Sequence, residues 1–159
     1  MPRPPLPGRL PAASRGGRCL PAVAALLVVT LTPACSTSIS PAEDLEGLAR
    51  SLQEARLGAP ERQETNALES RFFSVPGVAL VVPGRRVLAF EFADQPEAAA
   101  QAALVSPDGS GIGNKYIGWQ EPPRFFARGR LIVIYQGDDR KVLDALEKAL
   151  GPQFAGERE

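Results

Sequence analysis

Residues 78–92 read VALVVPGRRVLAFEF. An unbroken apolar run at 78–82 meets a Pro83-Gly84 turn, and a second apolar run returns over 87–92. Two such runs joined by turn chemistry are the mark of a β-hairpin. In the returning strand Leu88, Phe90 and Phe92 fall on one side, and Val87, Ala89 and Glu91 on the other. Asp94 and Glu97 then form a capping box. It opens a helix running to about residue 105, with Ala98, Ala99, Ala102 and Ala103 as a small-residue packing face. Ser106-Pro107-Asp108-Gly109 closes the helix with a turn.

The pattern then repeats. A third strand is predicted at 115–120 and a fourth at 130–136, joined by the loop EPPRFFARG of residues 121–129. Gly137-Asp138-Asp139 starts a helix whose apolar stripe is Val142, Leu143, Leu146, Ala149 and Leu150, stopped by Gly151 and Pro152. The strand from Arg86 to Asp94 and the strand from Arg130 to Asp138 have the same length and the same punctuation, which makes an internal duplication a hypothesis.

Upstream, Ser40-Pro41-Ala42-Glu43 reads as a capping box with proline at the first helical position. Leu45, Leu48, Leu52 and Ala55 keep one helical face, and Gly58 and Pro60 stop it. The polar ERQETNALES of residues 61–70 fits a linker, a poor edge strand or a frayed helical turn, and is read as a linker. The expected fold is therefore α+β. It has an N-terminal helix followed by a ββα–ββα unit, with a four-stranded antiparallel sheet carrying its helices on one face.

Composition sets the wider frame. The chain has 159 residues, 18 Lys+Arg, 18 Asp+Glu, no histidine and two cysteines. Zero net charge argues against nucleic acid as a partner. The missing histidine removes the commonest general base and the commonest metal ligand. The balance hides a split, because residues 1–34 hold Arg3, Arg9, Arg15 and Arg18 and no acid. Residues 35–159 keep fourteen basic residues against eighteen acidic ones. After Arg18 comes LPAVAALLVVTL at 20–31, shorter than the roughly 20 apolar residues that span a bilayer. A basic region, an apolar run of this length and small residues after it describe a secretory signal.

That run ends in Leu31-Thr32-Pro33-Ala34-Cys35-Ser36, which resembles the cleavage box of bacterial lipoproteins. The resemblance implies cleavage after Ala34, lipidation of Cys35 and attachment to the membrane through the N-terminal lipid. Thr32 stands where that family usually has leucine. Plain secretion with cleavage near Ala34 is the alternative. Cys19 falls within the signal, so Cys35 would be the one cysteine left and could form no internal disulfide. The expected organisation is a signal peptide at 1–34, a lipid-attached tether, amphipathic helix and linker at 35–71, and a small α+β domain at 72–156.

The segments FFSVPG (72–77), VSPDG (105–109), GRLIV (129–133), GDD (137–139) and LGPQFAG (150–156) are similar to those of small bacterial exported proteins and lipoproteins. This resemblance implies export and a compact domain, and it carries over no activity.

Candidate chemistry is sparse. The glycines of Gly109-Ser110-Gly111-Ile112-Gly113 follow a helix and enter a strand, the reverse of a phosphate-binding loop. Asp138 and Asp139 precede a helix, where one caps the N-terminus and the other complements its dipole. Asp108 and Ser110 make only a fragment of a calcium loop. Ser106 and Lys115 could be drawn as a nucleophile pair, though the turn already explains Ser106.

The densest cluster is aromatic. Trp119, Phe125 and Phe126, flanked by Arg124 and Arg128, form a candidate binding surface, with core and loop packing as the competing explanation. No catalytic residue, metal or cofactor is expected. The expected function is a lipid-anchored envelope protein that binds or assembles with an envelope protein or a glycan. A small envelope enzyme using carboxylates on cell-wall glycans is one alternative. The other is a structural subunit that docks a partner through Leu45, Leu48 and Leu52.

Overall fold

A computed structural model describes residues 41–158, and the expected signal peptide, Cys35 and the segment 36–40 lie outside the described residues. The fold is mixed α+β, with three helices and a six-stranded antiparallel sheet among the described residues. In chain order the elements are α1 (Leu45–Glu54), β1 (Glu61–Glu64), a 3-10 turn (Glu69–Arg71), β2 (Gly77–Val82), β3 (Arg85–Glu91) and α2 (Gln95–Ala102). There follow β4 (Gly111–Ile112), β5 (Lys115–Tyr116), β6 (Pro123–Arg128), β7 (Leu131–Gln136), α3 (Arg140–Leu150) and β8 (Ala155–Gly156). The main sheet runs β1-β2-β3-β7-β6-β8, and β4 and β5 form a separate small hairpin.

The sheet therefore has six strands rather than four. The third strand expected at 115–120 contributes only Lys115 and Tyr116, paired outside the main sheet. Its place is taken by β6, inside the stretch expected to be a loop. Pro123 is tolerated because it is the first residue of the strand, where a missing N–H breaks no interior ladder bond. The linker expected at 61–70 supplies the edge strand β1, whose four side chains are all exposed. Its apolar signal is nil, yet Glu61 to Glu64 pair in register with Val81 to Val78. At the other edge β8 pairs Gly156 with Arg124 and Ala155 with Phe125.

The helices lie on both faces, not one. On the first face Leu48 and Leu52 of α1 join Val142, Leu146 and Ala149 of α3 over Val87, Ala89, Leu131 and Val133. Leu45, Leu48 and Leu52 are thus spent on this chain's own core and are not a docking face. On the second face α2 contributes Ala98 to a cluster holding Phe72, Phe73, Leu88, Phe90, Phe92, Phe125, Ile132 and Ile134. Of the four alanines expected to pack, Ala98 is buried and Ala102 partly so, while Ala99 and Ala103 are exposed.

The capping box expected at Ser40 does not start α1. Asp44 is the cap, its carboxylate accepting the Gly47 N–H at 2.7 Å. The preceding backbone is engaged elsewhere: the Ala42 N–H donates to the Ala149 carbonyl at 2.8 Å, and the Glu43 carbonyl accepts from the Arg130 N–H at 3.1 Å. α2 is capped by Asp94, which accepts the Glu97 N–H at 2.9 Å.

The two similar strands become neighbours. β3 and β7 pair antiparallel at the centre of the sheet, with Ala89 opposite Val133, the positions that the two similar segments equate. The likeness stops there, since α2 and α3 go to opposite faces and α3 is capped by Asp139.

Candidate binding cleft

On the α2 face, beside the start of β3 and the end of β7, lies a cleft of about 340 Å³. One wall is the turn after β1. The Asn66 side-chain oxygen accepts the N–H groups of Leu68 and Glu69, both at 2.9 Å. The Glu69 carboxylate returns a bond to the Asn66 N–H at 3.0 Å. This reciprocal capping makes a rigid turn from a four-residue segment.

Glu69 also reaches across to β3, where both of its oxygens accept from the Arg86 guanidinium at 2.5 and 2.7 Å. The Arg86 bond holds the Glu69 carboxyl below the usual carboxylate range, against the opposing effect of burial. Glu69 in turn raises the Arg86 guanidinium above its ordinary value. The wall is thereby pinned to the sheet.

The facing wall is the segment after β5. Trp119 donates its indole N–H to the Gly109 carbonyl at 2.7 Å. Its ring stands edge-on to Phe72 at 5.3 Å and to Phe125 at 5.9 Å. Buried Phe72 and Ile117 form the apolar floor, while Gln120 and Gln136 stand at the rim. The same rim borders a second hollow of about 280 Å³ that includes Arg85, Glu121 and Tyr135. There Arg85 is held by Asp139, its Nε donating at 2.7 Å. That bond lowers the Asp139 carboxyl from its ordinary value. Burial pushes the Tyr135 hydroxyl up.

Of the expected surface residues, only Trp119 belongs to the cleft. Phe125 and Phe126 point to opposite faces of β6 and are 0% and 2% exposed, so they are core. Arg124 is buried too. Its Nε and Nη1 donate to the carbonyls of Gly137 and Glu157, which ties the loop before α3 to the end of β8. Arg128 is exposed at the β6–β7 turn, the opposite end of that hairpin from the cleft. The expected patch therefore dissolves, because strand alternation separates the residues that adjacency in sequence had grouped.

The other candidates also resolve into structure. Ser106 donates its hydroxyl to Asp108 at 2.7 Å, while the Lys115 ammonium donates to the Arg71 carbonyl at 2.5 Å, so no pair forms. Asp108 further accepts from Ser110, and these bonds, chiefly that from Ser106, lower its carboxyl. Asp139 caps α3 by accepting the N–H groups of Lys141 and Val142, and Asp138 is exposed. Among the described residues no group of three or more acidic, cysteine or histidine side chains could hold a metal ion. No described helix is long and apolar enough to cross a membrane.

Sequence reasoning missed Asn66, Glu69, Arg86, Gln120 and Gln136. One signal for them exists: Asn66 followed by Glu69 has capping-box spacing. No family model matches the chain, and neither a curated protein nor a solved structure does.

Proposed function

We propose that the chain is a lipid-anchored protein of the cell envelope whose α+β domain is a binding module, with the cleft between the Asn66 turn and Trp119 as its site. The anchor rests on the basic segment before Arg18, the apolar run at 20–31, and Ala34-Cys35-Ser36. Two acyl chains on Cys35 pass the threshold for stable attachment.

One observation carries the binding reading. The cleft has an apolar aromatic floor, walls locked by internal bonds, and rim amides at Gln120 and Gln136 that bond to no described residue. A preformed apolar hollow with a few convergent polar groups is the usual form of a ligand site. Glu69, the carboxylate within it, is held ionised by Arg86, which suits a wall better than a proton donor.

Two measurements test the proposal. Fatty-acid incorporation into the full chain should be present in the wild type and lost in Cys35→Ser. An unlabelled wild type ends the anchor reading. Trp119 is the only tryptophan, so its emission reports directly on the cleft. Cell-wall glycan fragments, peptides and phospholipid vesicles are added in turn. A saturable change with one class supports a binding module, and silence with all three overturns it.

A further inference from the structure

We infer that the ligand of this cleft is a neutral saccharide, an assignment that rests on the cleft being the binding site and goes on to name what it takes. The ionised groups that face the cleft are Glu69 and Arg86, and they neutralise each other through two bonds of 2.5 and 2.7 Å. Glu69 is 7% exposed. An anion seeking Arg86 would have to break a bidentate pair and strand the Glu69 carboxylate in a largely buried place, and a cation seeking Glu69 would have to displace the same two bonds. In the adjoining hollow Arg85 is likewise committed to Asp139, and Glu121 lies outside the cleft itself.

The remaining polar groups are carboxamides. The side-chain amides of Gln120 and Gln136 make no hydrogen bond to any described residue, whereas Asn66 is already engaged with Glu69. A carboxamide presents a donor and an acceptor side by side. A sugar hydroxyl is itself both donor and acceptor, so a polyhydroxylated ring satisfies such a rim without bringing a charge. The apolar half of the site matches as well. Trp119 is half-buried and cannot swing, because Gly109 holds its N–H and Phe72 and Phe125 brace its ring. Across the cleft Leu68 is 67% exposed. A pyranose offers C–H groups on its faces and hydroxyls around its edge, and this cleft offers aromatic and aliphatic surface beside the two carboxamides of Gln120 and Gln136.

The test uses the full chain in a zwitterionic detergent that carries no sugar headgroup. Trp119 emission is titrated with the neutral trimer of N-acetylglucosamine, with a trisaccharide bearing carboxylates, and with a neutral tripeptide. Calorimetric titration runs in parallel to catch binding that leaves emission unchanged. The expected result is saturable binding of the neutral trimer, weaker binding of the acidic one, and none of the tripeptide. Gln136→Ala and Gln120→Ala should each weaken the trimer by about tenfold, the loss of one hydrogen bond of ordinary to charge-assisted strength. Their melting curves should match the wild type. Preference for the tripeptide or the acidic sugar overturns the saccharide assignment and leaves the cleft standing as a binding site. No binding of any probe overturns the assignment, as does neutral-trimer binding unchanged in both glutamine variants.

Discussion

Glu69 and Arg86, seventeen positions apart, meet through two hydrogen bonds between the 3-10 turn and the first residues of β3. The arginine side chain is 37% exposed and the glutamate side chain 10%. Solvent therefore screens one partner more than the other, and breaking the pair should cost about 1–2 kcal/mol rather than the larger loss of a fully buried bridge. Chemical denaturation of Arg86→Met against the wild type measures it.

The same pair fixes a pH dependence. Arg86 depresses the Glu69 carboxyl in the folded chain. The unfolded chain then takes up its proton first as pH falls, so stability from this group is full above the ordinary glutamate value near 4.3. It is lost as pH drops through that value to the lower folded one. Melting temperature followed from neutral to acid pH should fall more steeply for the wild type than for Glu69→Gln. Parallel curves would contradict the assignment.

Gly156 sits at φ +95°, and a Cβ built on it would lie 2.0 Å from the Pro123 carbonyl oxygen. Backbone, not a flexible side chain, is what it would strike. Gly156→Ala should cost about 2–4 kcal/mol, from steric overlap added to the positive-φ penalty. Gly113, at φ +63° with nothing near its Cβ direction, isolates the second effect. Gly113→Ala should cost about 1–2 kcal/mol. Equal losses in the two variants would mean that β8 is not wedged against β6.

Phe125→Ala and Phe126→Ala should each destabilise the domain by about 3–5 kcal/mol, since each leaves a cavity in a different core layer. Arg128→Ala, at an exposed turn, should stay within about 0.5 kcal/mol. Thermal melts of the three variants separate core from surface.

Asp44→Ala should cost about 1 kcal/mol by freeing the Gly47 N–H at the start of α1. Pro41, exposed and outside the helix, should tolerate alanine with a smaller change. A larger loss at Pro41 than at Asp44 would move the cap back to the earlier box.

What the sequence disclosed follows from where periodicity is strong. The β2–β3 hairpin carries continuous apolar residues on both sides of a Pro-Gly turn, and its two faces are as the alternation implies. The α3 stripe is equally plain, with Leu143 partly buried and Ala145 added. β6 was hidden because Pro122, Pro123 and three nearby arginines look like loop chemistry, although one of those arginines is buried. β1 was passed over for a linker because a strand whose four side chains all face solvent has no hydrophobic signature to set it apart. The cleft was hidden for a different reason. Its walls are joined by Glu69 and Arg86, its rim by Gln120 and Gln136, and only the pairing of β3 with β7 makes these residues neighbours.

That central pairing also governs the order in which the chain can assemble. Ala89 lies opposite Val133, so the middle of the sheet joins segments from the two halves of the domain, with α2 and the β4–β5 hairpin between them. The β2–β3 hairpin can close locally, but until β7 arrives its inner edge has no partner. β7 itself needs β6, and β6 is closed at its far edge only by Ala155 and Gly156. Such long-range closure slows folding relative to a helical bundle of similar size. The half-made sheet would present an unpaired apolar edge for that interval. The β3–β7 seam at Ala89 and Val133 is the pairing of largest sequence separation in the main sheet, so it is the join that local closure helps least.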